Sequence, residues 1–250
     1  MIILNDVYVS FNLNTPLERF ALRGLTLRIH AGEFVTVIGG NGAGKSTLLH
    51  LLAGDIKATQ GSLLIDQKNI TSLSEPQRSK FVSRVFQDPL IGSCGELSIE
   101  ENMSLAYLRG KSRGLKRALT HNERNYFKEL VTSLDLGLEN HLKIPMKHLS
   151  GGQRQAISLL MATLQPSKIL LLDEHTASLD PRMAKKVMSI TMKLVKEQNL
   201  TVLMVTHSMT QALEYGTRIL LLQDGHIQKD ITGQERESLT PYDLLKYFEI

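Results

Sequence analysis

Tryptophan is absent from this 250-residue chain, aromatic residues make up only 5%, and cysteine occurs once. Nucleic-acid surfaces combine clustered cations with aromatic stacking platforms, so this scarcity argues against such a partner. The charge balance agrees, because 29 Lys plus Arg against 25 Asp plus Glu leaves a mild +4. One dense basic run, Lys111 to Arg117 (KSRGLKR), reads as a solvated loop, with contact to phospholipid headgroups or an anionic partner as the alternative. The lone Cys94 excludes an internal disulfide and fits a reducing compartment. Long hydrophobic runs are missing too. Ile169 to Leu172 and Ile219 to Leu222 are strand-sized, far below the roughly 18 residues of a spanning helix, so a membrane role has to be borrowed from other subunits. The opening MIILNDVYVSF lacks a basic segment followed by an apolar core and does not read as a signal peptide. No His, Cys or Asp positions show metal-ligand spacing, and no zinc or iron site is expected.

What is present is alternation. The length suits one large domain or a domain with an inserted lobe. Apolar β-rich stretches at Ile2 to Val9, Leu25 to Ile29 and Phe34 to Ile38 open the chain, and Ser62 to Ile65 and Val82 to Phe86 read as further strands. From about Pro89 to Thr163 the pattern turns amphipathic at Ile99 to Leu108, Glu123 to Leu134 and Gln153 to Thr163, which predicts an inserted helical lobe. Alternation resumes with a strand at Lys168 to Asp173, a helix after Pro181, a strand at Thr201 to Thr206, a short helix near Met209 to Tyr215 and a strand at Arg218 to Leu222. Strands separated by helices imply a largely parallel sheet covered on both faces. Asp224-Gly225 marks a hairpin, and Pro241 to Phe248 a terminal helix.

The strand Phe34 to Ile38 runs into GGNGAGKST, Gly39 to Thr47, which fits G-x-x-x-x-G-K-[ST]. In this pattern the backbone of Gly39, Gly40, Asn41, Gly42, Ala43 and Gly44 wraps phosphates, and the positive end of the following helix attracts them. Lys45 is expected to reach the β- and γ-phosphates, Ser46 to ligate magnesium, and Thr47 to lie beside them. A second half appears at Ile169 to Glu174, ILLLDE. Its buried strand delivers Asp173 to the metal, through water because magnesium keeps much of its hydration shell. Glu174 follows as the candidate base for an attacking water. Alone, such an acidic pair is an ordinary helix N-terminus; beside a phosphate loop it reads as chemistry.

A third motif, Leu149-Ser150-Gly151-Gly152-Gln153, is the most specific. A phosphate loop followed by LSGGQ resembles the ATP-binding cassette (ABC) ATPase family, and the likeness covers nearly the whole chain. The resemblance implies an α/β fold: a P-loop NTPase parallel-sheet core at 1–88 and 164–250, an N-terminal antiparallel β region, and a helical signature subdomain at 89–163. It makes Phe86-Gln87-Asp88-Pro89 look like the Q-loop, with Gln87 sensing magnesium and water. Ala177 to Asp180 looks like the D-loop, with Asp180 at a dimer interface, and Thr206-His207 matches the switch histidine at the γ-phosphate. An aromatic near the first strand stacks on adenine in this family; Phe11 is the match and Tyr8 the fallback. The segment Asn12 to Arg23 is long for the loop that follows.

The chain departs from the family at His175, where proline usually follows the glutamate; this reads as a tolerated substitution that adds a titratable ring. The form DEHTASLD resembles importer ATPases linked with amino-acid uptake. By this resemblance the chain hydrolyses ATP with Mg2+ as a homodimer, each site completed by Ser150, Gly151, Gly152 and Gln153 of the other copy. It would energise separate transmembrane permease subunits from the cytoplasmic face of the membrane, with an extracytoplasmic substrate-binding protein as an indirect partner. A soluble ABC ATPase for cofactor assembly is the alternative. A degenerate regulator is disfavoured, because Lys45, Asp173, Glu174 and His207 are all present.

Overall fold

A computed structural model describes residues 1–111 and 119–247. Most of the basic run at 111–117 and the end of the terminal helix at Phe248 therefore lie outside the described residues. In chain order the elements are β1 (Ile2–Phe11), β2 (Arg19–Ile29), β3 (Phe34–Ile38), α1 (Lys45–Ala53), β4 (Gln60–Ile65), β5 (Lys68–Asn69), α2 (Glu75–Arg78) and β6 (Val82–Val85). The helical segment supplies α3 (Ile99–Tyr107), α4 (His121–Thr132) and α5 (Gly151–Thr163). Then come β7 (Ile169–Asp173), α6 (Pro181–Gln198), β8 (Val202–Val205), α7 (Met209–Tyr215), β9 (Arg218–Gln223), β10 (His226–Thr232), α8 (Gly233–Ser238) and α9 (Pro241–Lys246).

The larger sheet has the order β10-β9-β3-β8-β7-β6 and is parallel except for the β9–β10 hairpin. That hairpin turns on Asp224 and Gly225, both with positive φ, as the Asp-Gly pair predicts. A smaller antiparallel sheet has the order β2-β1-β4-β5. Its β2 begins at Arg19 rather than Leu25: Arg19 pairs with Phe11 and Phe20 with Ser10, so the last five residues of the expected loop, Arg19 to Arg23, are strand.

Side chains alternate across a strand, and here the alternation feeds two cores. Ile169, Leu171, Leu203 and Val205 join β1, β2 and the buried side of α1, so α1 is packed between the two sheets. Leu170, Leu172, Val202 and Met204 face the other way, onto α5, α6 and the helical segment through Ile157, Phe127 and Met103. Both faces of β7 and β8 are covered, which is why their sequences read as unbroken apolar runs. The helical segment shares its core with the sheet, so a displacement of one is felt by the other.

Helix starts carry their own signals. Ser98 with Glu101 and Thr120 with Glu123 form capping boxes at α3 and α4. The start of α5 does the same: Ser150 Oγ accepts from the Gln153 N–H, and Gln153 Oε1 accepts from the Ser150 N–H. LSGGQ is thus also an S-x-x-Q capping box.

Candidate functional site

The carboxyl ends of β3, β7 and β8 meet, the place where parallel α/β sheets bind ligands. They are joined to their tips: the Glu174 N–H donates to Val205 O at 3.0 Å and the Thr206 N–H to Val37 O at 3.3 Å. Between β3 and α1 runs the loop Gly39 to Gly44. Two of its glycines have a visible steric reason. A Cβ on Gly39 would lie 2.3 Å from Leu222 O, and Gly44 has φ +105 with Ala21 O only 2.6 Å from any added Cβ. Gly40 would meet nothing.

Lys45 is buried, and its amine donates to Gly39 O at 2.8 Å and Gly40 O at 2.9 Å. Burial lowers its pKa, opposed by the nearby Glu174 and Asp173 charges. The amine is therefore tethered across its own loop with both acidic residues within electrostatic reach. A cavity of about 320 Å³ opens over this loop, lined by Phe11, Arg19, Ala21, Asn41 to Thr47, Glu174 and His207. Phe11 is 43% exposed there, whereas Tyr8 packs against Gly24 instead.

His207 Nε2 lies 2.8 Å from Glu174 Oε1, within hydrogen-bonding distance. Glu174 adopts φ +44, a left-handed conformation unusual for a side-chain-bearing residue. The loop behind it is laced by Gln211, which donates from Nε2 to Thr176 Oγ1 at 3.1 Å and accepts from Thr206 Oγ1 at 3.3 Å. That network ties the turn after Glu174 to the turn carrying His207.

Other expected residues lie elsewhere. Asp173 and Gln87 face a neighbouring cleft with His50, Arg84 and Phe86 rather than the loop cavity. Ser150, Gly151, Gly152 and Gln153 do not line the cavity of their own chain. Gly152 is explained within the chain: an added Cβ would lie 2.4 Å from Met183 Cγ, so it lets α5 pack on α6. The Asp180 carboxylate caps α6, accepting from the Arg182 and Met183 N–H groups at 3.1 and 3.0 Å. His175 is buried, with Nε2 3.2 Å from Thr191 Oγ1, and burial pushes its pKa down to about 4.

Three residues escaped the sequence reading. Arg19 overhangs the phosphate loop, its Nη2 3.0 Å from where a Gly42 Cβ would sit; no motif marks it. Gln155 Nε2 donates to Phe86 O at 3.0 Å, tying α5 to the segment before Gln87. Arg84 binds Asp173 across the sheet.

Magnesium fits these donors. Among the described residues no cluster of three or more His, Cys, Asp or Glu side chains is gathered for a metal. Ser46, Asp173 and Gln87 offer hard oxygen atoms only, and magnesium is commonly held by one or two protein oxygens with water and phosphate completing the shell.

A phosphate loop, a carboxylate–imidazole pair at its mouth and an aromatic wall together define a P-loop nucleotide hydrolase. The family model described as ABC transporter matches residues 22–177. A tyrosine transport ATP-binding protein of Clostridioides difficile (strain R20291) is 46% identical over 225 residues, covering 90% of this chain and 89% of the relative. A thiamine import ATP-binding protein of Photorhabdus laumondii is 37% identical over 219 residues, covering 88% of each. A dimeric post-hydrolysis ATP-binding cassette bound to ADP and Pi superimposes with a TM-score of 0.80 at 29% identity, covering 93% of this chain and 98% of the other. The chain belongs to the ABC transporter family, as an ATP-binding cassette that hydrolyses ATP. Among the described residues no helix is long and apolar enough to cross a membrane.

Proposed function

We propose that this cassette powers import of an amino acid such as tyrosine through separate membrane permease subunits, as a pair of copies closed by ATP on the cytoplasmic face. A substrate-binding protein outside the membrane would deliver the solute to the permease. The 46% identical relative is a tyrosine transport ATP-binding protein, and the lack of a spanning helix among the described residues fits a borrowed membrane path.

In each copy the N–H groups of Gly39 to Thr47 hold the phosphates, Phe11 stacks on adenine, and Lys45 turns from the Gly39 and Gly40 carbonyls to the β- and γ-phosphates. Ser46, Asp173 and Gln87 would hold Mg2+, which would offset phosphate charge. Water attacks the γ-phosphorus, its proton passes to Glu174, and ADP leaves with the bridging oxygen. His207 orients Glu174 and meets the γ-phosphate. Ser150, Gly151, Gly152 and Gln153 of the second copy close over the phosphates, where the N-terminus of α5 favours an anion. The stretch Ala177 to Asp180 begins three positions after Glu174, and the Ala177 N–H donates to Glu174 O, so a partner pressing on it acts on the base.

The observation that carries this reading is the Glu174–His207 contact of 2.8 Å beside the phosphate loop. Glu174→Gln is expected to stop turnover while leaving an ATP-stabilised dimer, seen by size-exclusion chromatography. Normal turnover in that variant removes Glu174 as the base. For the shared site, a Lys45→Ala copy mixed with a Ser150→Arg copy should regain turnover that neither shows alone; full turnover by either pure variant sinks the shared-site model.

A further inference from the structure

The side chain of Arg84 is only 8% exposed although it carries a permanent charge. It sits on β6 between Ser83 and Val85; Val82 joins the core around α1 and Val85 the opposite core, so Arg84 projects with Val82 toward α1. There its guanidinium is divided between two carboxylates. Nη2 donates to Asp173 Oδ2 at 2.7 Å and Nη1 to Asp55 Oδ2 at 2.8 Å. The His50 ring lies alongside, its nitrogens 3.2 and 3.4 Å from those same two donors, with Nδ1 also 2.5 Å from Asp55 Oδ2. Phe86, one residue before Gln87, covers the guanidinium face at 4.6 Å.

A buried charge of this kind persists only where it is paired, because desolvation would otherwise expel it. Of its two partners, Asp55 also meets the His50 ring and lies away from the metal carboxylate's own role. Asp173 is the carboxylate placed for the metal. Its Oδ2 is held by Arg84, while Oδ1 has no hydrogen-bond partner among the described residues. Arg84 thus supplies a positive charge to Asp173 before any metal arrives, and Asp55 sets how much of that charge Asp173 receives.

We propose that Arg84 is the internal counter-ion of the metal carboxylate, a positioning residue that weakens Mg2+ binding at Asp173, and that Asp55 tempers this effect by drawing the guanidinium toward itself. The idea rests on the assignment of Asp173 to the metal. Its signature is a response of opposite sign in two neighbouring residues. Removing Arg84 removes a competitor for Asp173 and strengthens Mg2+ binding. Removing the charge of Asp55 leaves the guanidinium wholly to Asp173 and weakens it. A merely structural role would push both variants the same way.

The measurement is the Mg2+ concentration at which a fluorescent ATP analogue reaches half of its magnesium-dependent binding to the full chain, with EDTA as the zero. Arg84→Met is expected to lower that midpoint at least about threefold and Asp55→Asn to raise it by a similar factor, as charges a few ångströms apart require. Arg84→Lys, which keeps the charge and loses the fork, should stay near the wild type and guards against a folding artefact, with far-UV circular dichroism checking all three. Midpoints that are unchanged, or that move together in Arg84→Met and Asp55→Asn, overturn the proposal. Asp173→Asn separates the two levels: if it retains the full magnesium dependence, Asp173 is not the metal carboxylate. If it loses that dependence while Arg84→Met stays at the wild-type midpoint, only the counter-ion idea fails.

Discussion

His175 links the acidic turn to the pH dependence of the empty cassette. Its ring is fully enclosed and its pKa lies near 4 against an ordinary 6.5, because burial penalises the charged form. In the unfolded chain the same ring protonates as pH falls through about 6.5. Between those values the unfolded state binds a proton that the folded state refuses, so stability is complete above pH 6.5 and is lost as pH falls toward 4. Each unit of difference is about 1.4 kcal/mol, so the whole step amounts to about 3 kcal/mol and the part between about pH 7 and 5 to about 2 kcal/mol. His175→Gln keeps a polar side chain near Thr191 and removes the titration. With no tryptophan in the chain, the assay is thermal unfolding of nucleotide-free protein followed by far-UV circular dichroism. For a chain of this size the wild type should lose roughly 4–8 °C more than His175→Gln on acidification from about pH 7 to 5. Equal losses in both proteins would mean that the ring is not the titrating group, and the burial argument would fall.

Three further substitutions test parts of the site separately. Asp180→Ala removes the cap that holds the Arg182 and Met183 N–H groups and should destabilise the cassette by about 1 kcal/mol in urea unfolding; an unchanged midpoint would show the cap to be dispensable. Phe11→Ala and Arg19→Ala should differ across nucleotides. Loss of the ring should weaken ATP, ADP and AMP alike by about fivefold, whereas loss of the guanidinium over Gly42 should weaken ATP most and AMP least. Parallel losses from both variants, read by fluorescent-nucleotide displacement, would deny Arg19 a phosphate role.

Much of this architecture was legible because the relevant signals are local. The run FVTVI into GGNGAGKST, the run ILLLD before Glu174 and the strand before His207 each carry their pattern within a few residues, and the sheet brings their ends together. The start of β2 was harder: TPLERF is polar and turn-like, and only pairing with the end of β1 makes Arg19 and Phe20 strand. The short helices α2 and α8 offer too few residues for a period to show. The Arg84 cluster was out of reach in principle, since it joins positions 50, 55, 84 and 173 through packing of α1, β6 and β7. Gln155 was hidden similarly, as its partner is a backbone carbonyl 69 positions away. Gly152 was read through its family role alone, although Met183 also demands a glycine there.

The capping box at the start of α5 draws on the oxygen of Ser150 and not on its proton. Its oxygen already accepts the Gln153 N–H, and a hydroxyl has a single proton to give. The cap therefore leaves that proton and one further lone pair uncommitted among the described residues. An oxyanion approaching the start of α5 can take the proton without loosening the cap, since the two draw on different atoms of one hydroxyl. Holding the helix end and meeting an anion are compatible tasks for a single side chain.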